Sequence, residues 1–189
     1  MKTALILHGM PSREEYFDPA SPSQSNKHWL PWLQRELLLR GILAQTPELP
    51  EPYAPVYAAW RAVFEQFHIT EETHLIGHSC GAGFLARWLS EHAVKTGKVA
   101  LVAPFLDPDG DEVDGDFFSF QLDRQLVART AGIGLFIGMN DDPEILTSAD
   151  QLLAAWPTAQ RLEFPGQRHF LEGEMGTNRF PELAEWILG

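Results

Sequence analysis

Apolar positions along the chain fall into two alternating patterns. Short β-type runs occur at residues 4–7, 74–76, 99–103 and 135–137, with a weaker one at 161–164, and Gly or Pro follows most of them. Between these runs the period lengthens to that of a helix. Val56, Trp60, Val63, Phe64 and Phe67 share one helical face. A second helix is expected from Pro31, suited to a first turn, to Gly41, suited to the position just past the end, with Leu33, Leu37 and Leu38 inward. A third covers residues 82–92 on a stripe of Leu85, Trp88 and Leu89. Ser148, with Gln151 three residues on, reads as a capping box opening a fourth helix ahead of Leu152, Leu153 and Trp156. The last helix opens near Pro181, with Leu183, Trp186 and Ile187 inward. Strands alternating with helices predict an α/β three-layer sandwich, a mostly parallel sheet with helices on both faces. Ligand sites in such sheets lie beyond the carboxyl ends of the strands.

Composition narrows the picture. With 189 residues, 44% hydrophobic and 21% charged, the chain reads as one domain spanning residues 1–189. Its only cysteine, Cys80, rules out an intrachain disulfide framework. Fourteen Lys and Arg against 26 Asp and Glu leave a net charge of −12, which repels nucleic-acid phosphate and anionic lipid and makes both poor partners. No apolar run has signal-peptide or membrane-spanning length, so the expected location is the cytoplasm.

The chemistry centres on Gly77-His78-Ser79-Cys80-Gly81, directly after an apolar strand and directly before a helix. In G-x-S-x-G, a reversal from strand to helix within a few residues leaves room only for glycine beside the serine, whose hydroxyl projects outward at the head of the helix. A serine hydroxyl needs a base to take its proton and a third group to orient that base. Two acids, Asp141 and Asp142, follow the strand at 135–137, and His169 lies in the turn after the final strand. Asp142 is the preferred acid, because Pro143 biases it to extended backbone, and Asp141 is then its solvent-facing neighbour. His78 sits within the elbow and is expected to pack or hydrogen-bond there. Oxyanion donors are expected from the backbone N–H of Cys80 and from the loop after the first strand, with Met10 first and Gly9 second.

With these parts located, the chain resembles the small single-domain serine hydrolases of the retinoblastoma-binding-protein-9 and YdeN type, a minimal branch of the α/β-hydrolases. The likeness spans nearly the whole length. It is carried by residues 77–82, Trp29-Leu30-Pro31-Trp32-Leu33 with Glu36-Leu37, residues 47–52 leading to Trp60, Asp141-Asp142-Pro143, and residues 166–169 with Phe170. It implies the triad Ser79, Asp142 and His169. Two departures stand out. The loop after the first strand, His8-Gly9-Met10-Pro11-Ser12, lacks the family's glycine-rich character. The L-x-C-x-E element is absent too, so no retinoblastoma-type partner is implied.

Two stretches are expected to shape the pocket. Residues 12–27 show no periodicity and read as a long active-site loop. Residues 105–124 form a cap-like insertion that is acidic up to Asp116 and aromatic at Phe117, Phe118 and Phe120. Those rings, with Phe105, are expected to line an apolar acyl pocket, core packing being the rival reading. The acidic run fails the calcium-loop template, because Glu112 and Phe118 stand where Gly and Glu are needed. His74 and His78 would not share a face to hold a metal, and no cofactor is called for. The expected activity is carboxylic ester hydrolysis on a small, largely apolar small-molecule ester through an acyl-enzyme. A non-catalytic binding module that keeps the fold is the alternative.

Overall fold

The computed structural model describes residues 1–189. Six strands form one sheet: β1 (Thr3–Leu7), β2 (Leu43–Gln45), β3 (Thr73–His78), β4 (Val99–Val102), β5 (Ile133–Gly138) and β6 (Gln160–Phe164). Their spatial order is β2-β1-β3-β4-β5-β6 and every pairing is parallel. The helices are α1 (Arg13–Phe17), α2 (Leu30–Leu39), α3 (Tyr57–Phe64), α4 (Cys80–Glu91), α5 (Pro143–Ala155), α6 (Glu172–Met175) and α7 (Pro181–Leu188).

Strand alternation divides the core in two. Leu5, Leu7, Leu75, Leu101 and Leu135 point to the face covered by α3, α4 and most of α5. Ala4, Ile6, Ile76, Val102 and Phe136 point to the other, covered by α2 and α7. The central strands are buried on both faces, which is why they read as continuous apolar runs. The expected sandwich is therefore present, with a sheet that is parallel throughout.

Two local expectations are corrected, and one strand was missed. The edge strand β2 was not visible in the sequence, because only Ala44 of its three residues is buried and nothing apolar repeats. Ser148 does not open a helix. Pro143 does, and Ser148 lies inside α5, where its hydroxyl accepts from the Leu106 N–H at 3.0 Å and ties the strap after β4 to the helix. Residues 12–27 are not structureless either, since they contain α1 and a 3₁₀ turn at Gln24–Asn26. The Ser12 hydroxyl caps α1 by accepting from the Glu15 N–H, and the Glu48 carboxylate accepts from the N–H groups of Gln24 and Ser25 at 3.1 and 2.9 Å.

Strand order reverses beside β1, so the crevice at the carboxyl ends of β1 and β3 is where a site belongs.

Candidate active site

Ser79 is the one residue between β3 and α4. It is held at φ 54°, ψ −120°, a conformation sparsely populated by non-glycine residues, and strain of that kind persists only where surrounding contacts impose it. Those contacts are visible. The Ser79 N–H donates to the Val102 carbonyl at 2.9 Å, and its own carbonyl accepts from Ala82 and Gly83. A Cβ on Gly77 would sit 2.6 Å from the Ala82 backbone, and one on Gly81 would sit 2.4 Å from the His8 carbonyl. The two glycines thus let α4 start against β3 and β1, and the elbow read from the motif is there.

The aspartate beside the histidine is not the one the sequence argument placed there. Asp141, not Asp142, faces the histidine: His169 Nδ1 lies 3.0 and 3.1 Å from the two Asp141 carboxylate oxygens. Pro143 does hold Asp142 extended, at φ −64° and ψ 147°, but as the N-cap of α5 that conformation sends its side chain to solvent. It is 71% exposed and paired with Arg168, whereas the Asp141 side chain is 1% exposed. The Asp142 N–H donates to Asp141 Oδ1 at 2.8 Å and fixes the inward carboxylate. The two loops are pressed together by the Asn140 N–H donating to the Gln167 carbonyl, and by Gly138, where a Cβ would fall 1.9 Å from the Arg168 carbonyl.

With Nδ1 committed to Asp141, Nε2 is the imidazole nitrogen left for the serine. Ser79 and His169 line the same two cavities, although no hydrogen bond joins them in the free protein; such bonds often tighten only when substrate is bound.

His78, buried behind the elbow, points its Nε2 at the His169 carbonyl, 2.8 Å away, and donates to it. Burial pushes its pKa well below the usual value, with His169 as a secondary cause, so the ring is held neutral. His8 is likewise buried and held below its ordinary pKa. Its Nε2 accepts from the Leu49 N–H at 2.9 Å, so its proton sits on Nδ1, facing the Gly9 carbonyl at 2.8 Å. The sequence offered no signal for the His78 contact, which joins residues 91 apart.

Met10 and Gly9 line the smaller cavity beside Ser79. Cys80, as the first residue of α4, has an N–H without an intrahelical acceptor. Its thiol is fully buried in the core, and burial pushes its pKa up, which removes it as a nucleophile.

The aromatic cap is corrected as well. Phe117 is core: it is 1% exposed and packs edge-on against Trp60, with centroids 5.0 Å apart. Phe118 lies over α4 at Gly83, half-buried between Phe105 and Phe117, and Phe120 packs on the first core. Only Phe105 of the four reaches a cavity at Ser79. The acidic run is tied down by Asp107, whose two carboxylate oxygens accept from the N–H groups of Glu112 and Val113.

A family model described as serine hydrolase matches residues 20–187. The chain belongs to the serine hydrolase family. A hydrolase named YdeN, from Bacillus subtilis (strain 168), is 28% identical over 169 residues, 86% of this chain and 88% of the relative. Serine hydrolase RBBP9 from Rattus norvegicus is 25% identical over 150 residues, 77% and 80% of the two chains. The crystal structure of the B. subtilis ydeN product superposes with a TM-score of 0.84 at 24% identity, covering 100% of this chain and 97% of that one, so the serine hydrolase has the α/β-hydrolase fold. No helix of this hydrolase is long and apolar enough to cross a membrane.

Proposed function

We propose that this serine hydrolase cleaves carboxylic esters, with Ser79 as nucleophile, His169 as general base and then general acid, and Asp141 as the group that orients the imidazole. The observation that carries the reading is the buried Asp141 carboxylate on His169 Nδ1, beside a serine forced outward by a strained elbow. Ser79 Oγ attacks the carbonyl carbon as His169 Nε2 takes its proton. The resulting oxyanion is met by the N–H groups of Met10 and Cys80. Collapse expels the alcohol, protonated by His169, and leaves an acyl group on Ser79. Water, activated by the same imidazole, releases the acid and restores the serine. Asp141 stays ionised throughout and stabilises the imidazolium.

Fluorophosphonate labelling of the folded protein tests the assignment, because only an activated serine reacts. A single adduct at Ser79, lost in Ser79→Ala and in His169→Ala, is expected, together with a fall in kcat of about 10⁶ on a 4-nitrophenyl ester. An unlabelled Ser79, or a Ser79→Ala protein that retains its esterase activity, would overturn it and favour a binding module.

A further inference from the structure

The two cavities that meet at Ser79 differ in character. One is open and large, about 610 Å³, and extends past Phe105 toward α5. The other is about 150 Å³, the size that accommodates a benzene-sized group, and is walled by Glu15, Gln24 and His28 from the segment after β1.

The smaller cavity holds polar groups that the protein leaves unused. Gln24 is 7% exposed. Its backbone N–H is spent on Glu48, and its side-chain amide makes no hydrogen bond to the protein. His28 Nδ1 accepts from the Glu172 N–H at 3.1 Å. The neutral ring therefore carries its proton on Nε2, and that N–H has no acceptor in the protein. The amide and the imidazole, on residues that line the cavity together with Ser79, offer donors and an acceptor to a group bound there. Net charge is not on offer: the Glu15 carboxylate is paired with the buried Lys27 ammonium, and the facing histidines His8 and His78 are enclosed and bonded to backbone groups. The wall is also pre-built, since Glu48 pins the 3₁₀ turn carrying Gln24 and Lys27 anchors α1.

We propose that this cavity is the subsite for a compact, uncharged, hydroxyl-bearing group of the ester, selected by Gln24 and His28. A hydroxyl both donates and accepts, matching the amide oxygen on one side and the imidazole N–H on the other. An alkyl group of the same size would displace the water that reaches both groups without replacing its hydrogen bonds, and a site that hydrogen-bonds a hydroxyl discriminates against the analogue lacking it. The inference rests on the reading of Ser79 as nucleophile. It replaces the apolar acyl pocket that the sequence suggested.

The test compares kcat/KM within two pairs of esters. One pair, 4-nitrophenyl butanoate and 4-nitrophenyl 3-hydroxybutanoate, varies the acyl side. The other, propyl butanoate and 2,3-dihydroxypropyl butanoate, varies the alcohol side. The expected result is a preference of about 10- to 100-fold for the hydroxylated member of at least one pair. In Gln24→Leu and in His28→Phe that ratio should collapse to within about threefold. A ratio within one protein sample is unaffected by how much of a variant is folded, so a poorly folding variant still reports. Ratios near one in both pairs, or a preference that survives both substitutions, would overturn the subsite while leaving the esterase reading intact. Failure to hydrolyse any of the four esters, with Ser79 unlabelled by fluorophosphonate, would overturn both.

Discussion

Asp141 and Asp142 are chemically identical neighbours, and their difference is a matter of one peptide unit of backbone. Asp141 is folded back on the end of β5, its N–H donating to the Gly138 carbonyl, whereas Asp142 leaves along the axis of α5. Asp141→Asn is expected to lower kcat by about 10⁴, because an amide cannot hold the imidazole with its proton on Nδ1. Asp142→Asn should stay within a few-fold, since its exposed pair with Arg168 is worth little. Steady-state kinetics on one 4-nitrophenyl ester decides between them, and the reverse order of effects would return the role to Asp142. His78 acts at one remove. Its Nε2–H holds the His169 main chain, so His78→Phe should lower kcat about tenfold with little change in KM, and His78→Gln, which keeps an N–H donor, should recover part of the loss.

Among the elements, the strand-to-helix junction at β3 and α4 has the least tolerance. Its glycines are required by close approach of backbone, and backbone cannot swing aside as a long side chain can. Gly81→Ala would force α4 away from the β1 loop, at a cost of about 1–3 kcal/mol of stability by urea unfolding, and would shift the Cys80 N–H from its place beside the serine. A variant as stable and as active as the parent would contradict that account. This junction was also the most legible part of the chain. Glycine spacing, strand and helix all point to the same structure, and local constraints of that kind survive in sequence. The start of α5 was not legible, because Ser148 has the spacing of a cap while its hydroxyl serves the Leu106 N–H across 42 residues. Nor were the ends of the aromatic strap. Phe117, Phe118 and Phe120 have the composition of a pocket, yet a ring pays no regard to whether apolar neighbours belong to a substrate or to Trp60 and Phe84.

At the scale of the whole molecule, four histidines are folded in with depressed pKa values. Burial is the first cause for His8, His28, His74 and His78. The native state therefore binds fewer protons than the unfolded chain once the pH drops below about 6.5, the ordinary histidine value. The stability these groups allow is complete above that pH and is lost as the pH falls through it. The urea midpoint is expected to decline from pH 7.5 to 5.5, and to decline less steeply in His78→Gln, which removes the one held furthest below the ordinary value. Parent and variant carry the same carboxylates, so the easing of repulsion within a chain of net charge −12 cancels in the comparison. Parallel curves for the two would contradict a neutral, buried His78.

What could be read in one dimension was whatever nearest neighbours dictate: period-two and period-3.6 burial, the proline and glycine ends of helices, and a turn so crowded that only glycine fits. From these came the parallel α/β sheet and two of the three groups proposed for catalysis, Ser79 and His169. The aspartate that faces His169, the hold of His78 on the His169 main chain, the core role of Phe117 and the presence of Gln24 and His28 in the cavity wall lay beyond that reach. Each depends on which atoms of distant segments come within about 3 Å, a length at which hydrogen bonds exist or do not, and no pattern along the chain carries that distance.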